Sequence, residues 1–234
     1  ALKSLGSEVS TKTNYLSDFD FSKLKFEEGH DEHKEGHDEH KEGHDEHKEG
    51  HDEHAHGEFD PHIWLDPNYA IKQSKAILDV LSANDPSNAN YYLENFQKLE
   101  QDLQSLHREY INGLSNCKHE EFVISHAAFG YIAARYNLTQ IEIAGLAAHA
   151  TPSPARVAEI TQLIGNLGLG SVLVETLQVD NSISETLAKE ANVKTLPIHV
   201  IATVTVDELN EHTDYMGLMR NNLNSLKAAM ECNA

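Results

Sequence analysis

The sequence predicts an α/β protein, and three observations carry the prediction. Residues 119–234 alternate short runs of aliphatic and β-branched residues with amphipathic stretches, the pattern of βα units. A long amphipathic segment at 88–114 precedes them. Pro, Gly and Asn stand between these segments, where helices and strands must stop.

Taken in order, residues 1–26 hold one short helical piece and FDFSKLKF, whose alternating Phe and Leu read as the edge of a folded unit. The sequence begins at Ala1 without a methionine, and ALKSLGSEVS reads as the middle of a helix followed by a turn, so a cut start is expected. Next comes the unit GHDEHKE, repeated with a period of seven. A coiled coil needs two apolar positions in each seven, and this unit has none. Its glycine costs a helix about 1 kcal/mol per repeat. Residues 28–58 are therefore predicted to be disordered without metal. Thirteen Asp or Glu stand against three Lys between residues 27 and 54, which accounts for half of the formal charge of −20.

Asp66 followed by Pro67 supplies an N-cap and a proline at the first helical position. Ala70, Ile71, Ala76, Ile77, Val80 and Leu81 then form one apolar face, ending before Asn84. Asp85, Pro86 and Ser87 start the long helix, with Tyr91, Tyr92, Phe96, Leu99, Leu103, Leu106, Tyr110 and Leu114 at three-to-four spacing. At 1.5 Å per residue it reaches on the order of 40 Å, enough to cross a molecule and join two lobes. Beyond it EFVIS, IEIAGL, SVLVET and KTLPIHV read as strands. AFGYIAARYN, PARVAEITQLIGNLG and SISETLAKEAN read as the helices between them, the second stopped by Gly168 and Gly170. One last helix is expected over 206–230, with Tyr215, Leu218, Met219, Leu223 and Leu226 on one face.

Charge and composition exclude several functions. Nucleic acid needs clustered Lys and Arg, and none occur. The acidic balance disfavours anionic membrane surfaces and suits a cationic ligand. No apolar run of about twenty residues spans a bilayer, and no signal peptide is visible. Hydrolase and nucleotide motifs are missing too: His119-Glu120-Glu121 lacks the second histidine of HExxH, and GxSxG, GxGxxG and a phosphate loop are absent. Cys117 and Cys232 have no CxxC spacing. In an exported protein they form a long-loop disulfide, and in a cytosolic one they are two buried thiols.

Two histidines stand where sites are built. His62, in DPHIWLDP, lies on a short stiff loop before a capped helix. His126 follows a hydrophobic strand directly, and in α/β lobes ligands collect beyond the carboxyl ends of strands. Neutral imidazole suits zinc, copper, nickel and iron. The tract adds His30, His33, His37, His40, His44, His47, His51, His54 and His56 on the segment that leads to His62.

DPHIWLDP, DPSNANYYLENFQKLEQDLQSL, FVISHAAFGYIAARYNL, PSPARVAEI and DYMGLMRNNLNSL together resemble the metal-binding solute-binding proteins of ABC importers, in particular the zinc-uptake branch. The resemblance covers nearly all of the chain outside the tract. It implies a two-lobed, periplasmic-binding-protein-like fold joined by one long helix, with metal held in the cleft. The first lobe would then comprise residues 1–27 and 59–86, the insertion 28–58, the linker helix 87–117 and the second lobe 118–234. The family's opening strands, which supply a further histidine ligand, are missing here, so an incomplete first lobe in a truncated chain is expected. By motif, His62 and His126 are the metal ligands and the tract is accessory. Manganese-type relatives tend to place glutamate where His126 stands and aspartate where Thr203 stands, so Zn2+ is favoured over Mn2+. His199 and Asp207 match no ligand motif, and His149 is expected on the surface.

The resemblance also implies a non-enzymatic, monomeric component outside the cytoplasmic membrane. It would pass zinc to a membrane permease, with affinity falling below about pH 6.5 as histidines charge. The Cys117–Cys232 pair would tie the start of lobe two to its last helix, in keeping with an oxidising compartment. A metal-buffering or surface-adhesion protein acting through the tract is the competing reading.

Overall fold

The computed structural model describes residues 60–145, 151–177, 181–210 and 213–233. The segment at 1–27, the insertion at 28–58 with all nine tract histidines, and His149 lie outside the described residues.

A short 3-10 turn, Ile63–Leu65, leads into α1, Pro67–Asn84, whose N-cap Asp66 accepts from the Asn68 N–H. After a second 3-10 turn at Pro86–Asn88, α2 runs over Ala89–Leu114. The βα alternation then follows as β1 Glu121–His126, α3 Gly130–Tyr136, β2 Thr139–Ala144, α4 Pro154–Leu167, β3 Ser171–Glu175, α5 Ser182–Glu190 and β4 Lys194–Ile198. Two helices close the chain, α6 Val206–Asn210 and α7 Tyr215–Ala229. The sequence predicts one helix there. It is divided because the Asp214 side chain accepts from the Gly217 N–H and caps a new start, with its own backbone extended.

The four strands are parallel in the order β2-β1-β3-β4. Side chains alternate across a strand, so each contributes to two cores. Phe122, Ile124 and Leu173 point to one face, packed by Leu106, Tyr110 and Leu114 of α2 and Met219, Leu223 and Leu226 of α7. Val123, Val172 and Val174 point to the other, packed by Ile160 and Ile164 of α4 and Leu187 of α5. Each such side chain contributes about 1.5–3 kcal/mol when fully buried. Tyr110 also donates to the Met219 carbonyl at 2.7 Å, tying α2 to α7. Burial pushes that hydroxyl well above the usual tyrosine range.

Only the C-terminal half of the long helix joins this core. Leu103, Leu106, Tyr110 and Leu114 are buried, whereas Tyr91 is 63% exposed. The apolar face predicted for α1 is likewise open, with Ile77 58% exposed. The stripe forms a groove with Tyr92, Phe96 and Leu99 of α2, which covers it only in part.

A disulfide joins Cys117, just before β1, to Cys232, just after α7. No helix among the described residues is long and apolar enough to cross a membrane.

Candidate metal centre

The strand order creates the place for a site. The chain leaves β1 for β2 on one side and then crosses to β3 on the other, so the carboxyl ends of β1 and β3 flank the switch point of a parallel sheet. His126 is the last residue of β1 and Glu175 the last of β3. His199 follows β4 directly. Register aligns these ends, with His126 opposite Ala144 and Glu175 opposite Ile198.

His62 reaches the same edge on a loop that is fastened at four points. The Tyr131 hydroxyl donates to the Asp60 carbonyl at 2.7 Å. Trp64 Nε1–H donates to the Val200 carbonyl at 2.9 Å, and the Tyr215 hydroxyl donates to the Trp64 carbonyl at 2.7 Å. Asp66, fully buried, receives Arg135 Nε–H at 2.6 Å on the oxygen that does not cap α1. Leu65 fills the core behind. This ion pair carries a direct prediction. Arg135→Ala leaves the Asp66 carboxylate buried without its partner, a type of loss worth about 3–5 kcal/mol. Arg135 keeps 30% of its side chain in solvent, so about 3 kcal/mol is expected by urea denaturation. A loss below about 1 kcal/mol would mean that Asp66 finds another donor.

His62 and His126 face each other with ring centroids 5.3 Å apart and planes inclined at 63°. Both are buried. With Glu175, His199, Ile201 and Thr203 they line a cavity of about 180 Å3. His62 Nδ1 lies 2.6 Å from Asp60 Oδ1, which also accepts the His62 N–H at 2.9 Å. His126 Nδ1 is hydrogen-bonded to Glu175 Oε1, which accepts the Ser125 hydroxyl at 2.9 Å. Each ring therefore has a carboxylate on Nδ1 and leaves Nε2 for a cation.

His199 is built differently. Its backbone is clamped by Asn222, whose Oδ1 accepts the His199 N–H at 2.8 Å while Nδ2 donates to its carbonyl at 2.7 Å. Its Nδ1 accepts the Ile201 N–H at 2.8 Å. Nε2 lies 3.3 Å from Glu208 Oε1 without hydrogen-bond geometry. The Thr205 N–H, with its hydroxyl and His199 adding, holds the Glu208 carboxyl below the usual range. Ile201 itself adopts φ 58°, a left-handed conformation uncommon for a β-branched residue.

The two histidines named from sequence are thus brought together, and Thr203 lines their cavity. Asp207 is exposed on α6 and does not line it. Sequence reasoning passed over Asp60 and Glu175 and left His199 unassigned. The rule that singled out His126, a polar residue ending a hydrophobic strand, applies equally to Glu175 after SVLV and to His199 after KTLPI. Among the described residues no three His, Cys, Asp or Glu side chains are arranged as a closed metal cage. They bring together two imidazoles rather than a complete shell.

A parallel sheet with paired histidines at its switch point, preceded by a long helix, has the architecture of a periplasmic-binding-protein-like lobe. The chain belongs to the family described as zinc-uptake complex component A, periplasmic, whose model matches residues 7–229. Zinc-binding lipoprotein AdcA of Streptococcus pneumoniae (strain R6) is 38% identical over 172 residues, 74% of this chain and 34% of AdcA. The chain thus spans about a third of that relative's length. The Zn(II)-bound ZnuA-like domain of Streptococcus pneumoniae AdcA superposes with a TM-score of 0.65 at 37% identity, covering 76% of this chain and 66% of that one. The laminin-binding protein Lbp of Streptococcus pyogenes gives a TM-score of 0.66 at 26% identity, covering 74% of this chain and 65% of that one.

Proposed function

We propose that this chain is the extracytoplasmic zinc-binding component of an ABC-type importer, taking Zn2+ between His62 and His126 and delivering it to a membrane permease. The observation that carries the reading is the pair of buried imidazoles, 5.3 Å apart, each with a carboxylate on Nδ1 and Nε2 left for the ion. Zinc accepts imidazole nitrogen readily, and in metal sites the other ring nitrogen is ordinarily hydrogen-bonded as here. The family match and the Zn(II)-bound neighbour support zinc as the cargo. No bond is made or broken: the work is capture and release. The disulfide supports a location outside the cytoplasm, where such bonds persist. In this reading the histidine tract is an accessory that raises the local zinc concentration.

Titration separates the cavity from the tract. Zinc added to the full chain, and to a chain lacking residues 28–56, is expected to fill one tight site in both by calorimetry, with weaker sites only in the former. If deletion abolishes all tight binding, His62 and His126 are not the site. A second reading, surface adhesion, is favoured by the likeness to the laminin-binding protein. It predicts that the full chain binds immobilised laminin, and that zinc-site variants which stay folded still bind.

A further inference from the structure

Three histidines line the cavity, and they are not equivalent. A neutral imidazole carries one proton, and the partner of one nitrogen decides what the other can do. A carboxylate only accepts, so Asp60 Oδ1 and Glu175 Oε1 place the protons of His62 and His126 on Nδ1 and leave lone pairs on Nε2. A backbone N–H only donates, so Ile201 takes the Nδ1 lone pair of His199 and puts that ring's proton on Nε2, near Glu208.

We propose that Asp60 and Glu175 are the positioning residues that make His62 and His126 metal ligands, and that Ile201 keeps His199 out of the metal's shell although it lines the same cavity. The proposal rests on the zinc reading only for the identity of the ion.

Several observations converge on it. Asp60 and Glu175 are 3% and 8% exposed, which is unusual for carboxylates unless they are paired. Asp60 spends one oxygen on both donors of His62, and its carbonyl is held in turn by Tyr131, so its position is determined twice. Glu175 is held from a separate strand by Ser125. Two neutral imidazoles beside two carboxylates carry a formal charge of −2, which one divalent cation balances. On the excluding side, Ile201 accepts a left-handed backbone, unfavourable for a β-branched residue, while its N–H is donated to His199. Freeing His199 Nδ1 for a metal would break that bond.

The test reads tautomers directly in the full chain stripped of metal. Histidine-labelled protein at about pH 8, above the ordinary histidine range, is studied by long-range 1H–15N correlation, with His62→Gln, His126→Gln and His199→Gln used for assignment. Nδ1–H is expected on His62 and His126, and Nε2–H on His199. Finding Nε2–H on either of the first two overturns the proposal, whatever zinc does. Asp60→Ala and Glu175→Ala should release their rings to Nε2–H and weaken tight zinc binding about 10- to 100-fold. Asp60→Asn and Glu175→Gln keep an accepting oxygen and should restore the tautomer and part of the affinity. His199→Asn, whose Oδ1 takes the Nδ1 position, should change affinity less than about threefold. A larger loss makes His199 a ligand and overturns that half of the proposal. Correct tautomers in a wild-type chain that takes no zinc would sink the zinc reading and leave the positioning roles standing.

Discussion

His62→Asn and His126→Asn each lower tight zinc affinity by about 100-fold or more, while the protein stays folded. Structural zinc sites release roughly 10–16 kcal/mol across four ligands, so one nitrogen is worth on the order of 3 kcal/mol. At 1.4 kcal/mol per tenfold, that is about two decades in the dissociation constant. Asparagine is the informative replacement. Its amide nitrogen occupies the place of Nδ1 and keeps a donor for Asp60 or Glu175, whereas Nε2 has no counterpart. Alanine would take the ring donor from a buried carboxylate, leaving Asp60 only the backbone N–H of residue 62 and Glu175 only Ser125, and would mix instability with lost coordination. Competition against a chelator in the chain lacking residues 28–56 keeps the tract from masking the change. Affinity within about threefold of the parent in either variant would remove that histidine from the site.

The sequence exposed the βα alternation because each strand is short and centred on apolar residues, and some helices start at a recognisable cap, such as Ser153 with Pro154. It exposed His62 and His126 by different routes, one through a rigid motif and one through a strand end. The carboxylates stayed hidden for a physical reason. Glu175 meets His126 only because β1 and β3 are neighbours, a pairing between residues 49 apart that no local pattern encodes. The role of His199 was equally illegible, since it depends on the backbone angle of Ile201. The divided C-terminal helix was legible in part: Asp214 was available as a cap, but the apolar spacing beyond it ran on as though unbroken. The predicted face of α1 shows the converse, a clear amphipathic stripe that α2 covers only in part, leaving Ile77 58% exposed.

Breaking the Cys117–Cys232 bond is expected to cost about 5 kcal/mol, the largest loss of stability that one covalent change would produce here. The bond closes a loop with a sequence separation of 115, and the chain-entropy model assigns a loop of that length about 5 kcal/mol. Against a total of about 5–15 kcal/mol for a domain, this is a third or more of the reserve. The weaker contacts at the same junction do not replace it. The Lys118 and His119 N–H groups reach the Met230 carbonyl at 3.1 and 3.2 Å, and Lys118 pairs with Glu231 at 2.9 Å in solvent. That pair is open to water and screened by it, so it adds little. A Cys117→Ala, Cys232→Ala chain should show a lower urea midpoint and a steeper slope, because the denatured state gains surface once it is not cross-linked. Reductant acting on the parent should reproduce both changes. A double variant within about 1 kcal/mol of the parent would mean that strain in the native bond cancels the entropy it removes. The effect reaches the site through α7, which carries Tyr215 against the Trp64 loop and Asn222 against His199. Zinc at about a hundred times its dissociation constant returns about 2.7 kcal/mol to any state that still binds. Recovery of that full amount would show that α7 keeps its place without the bond, and a smaller recovery that the disulfide also holds the histidines in register.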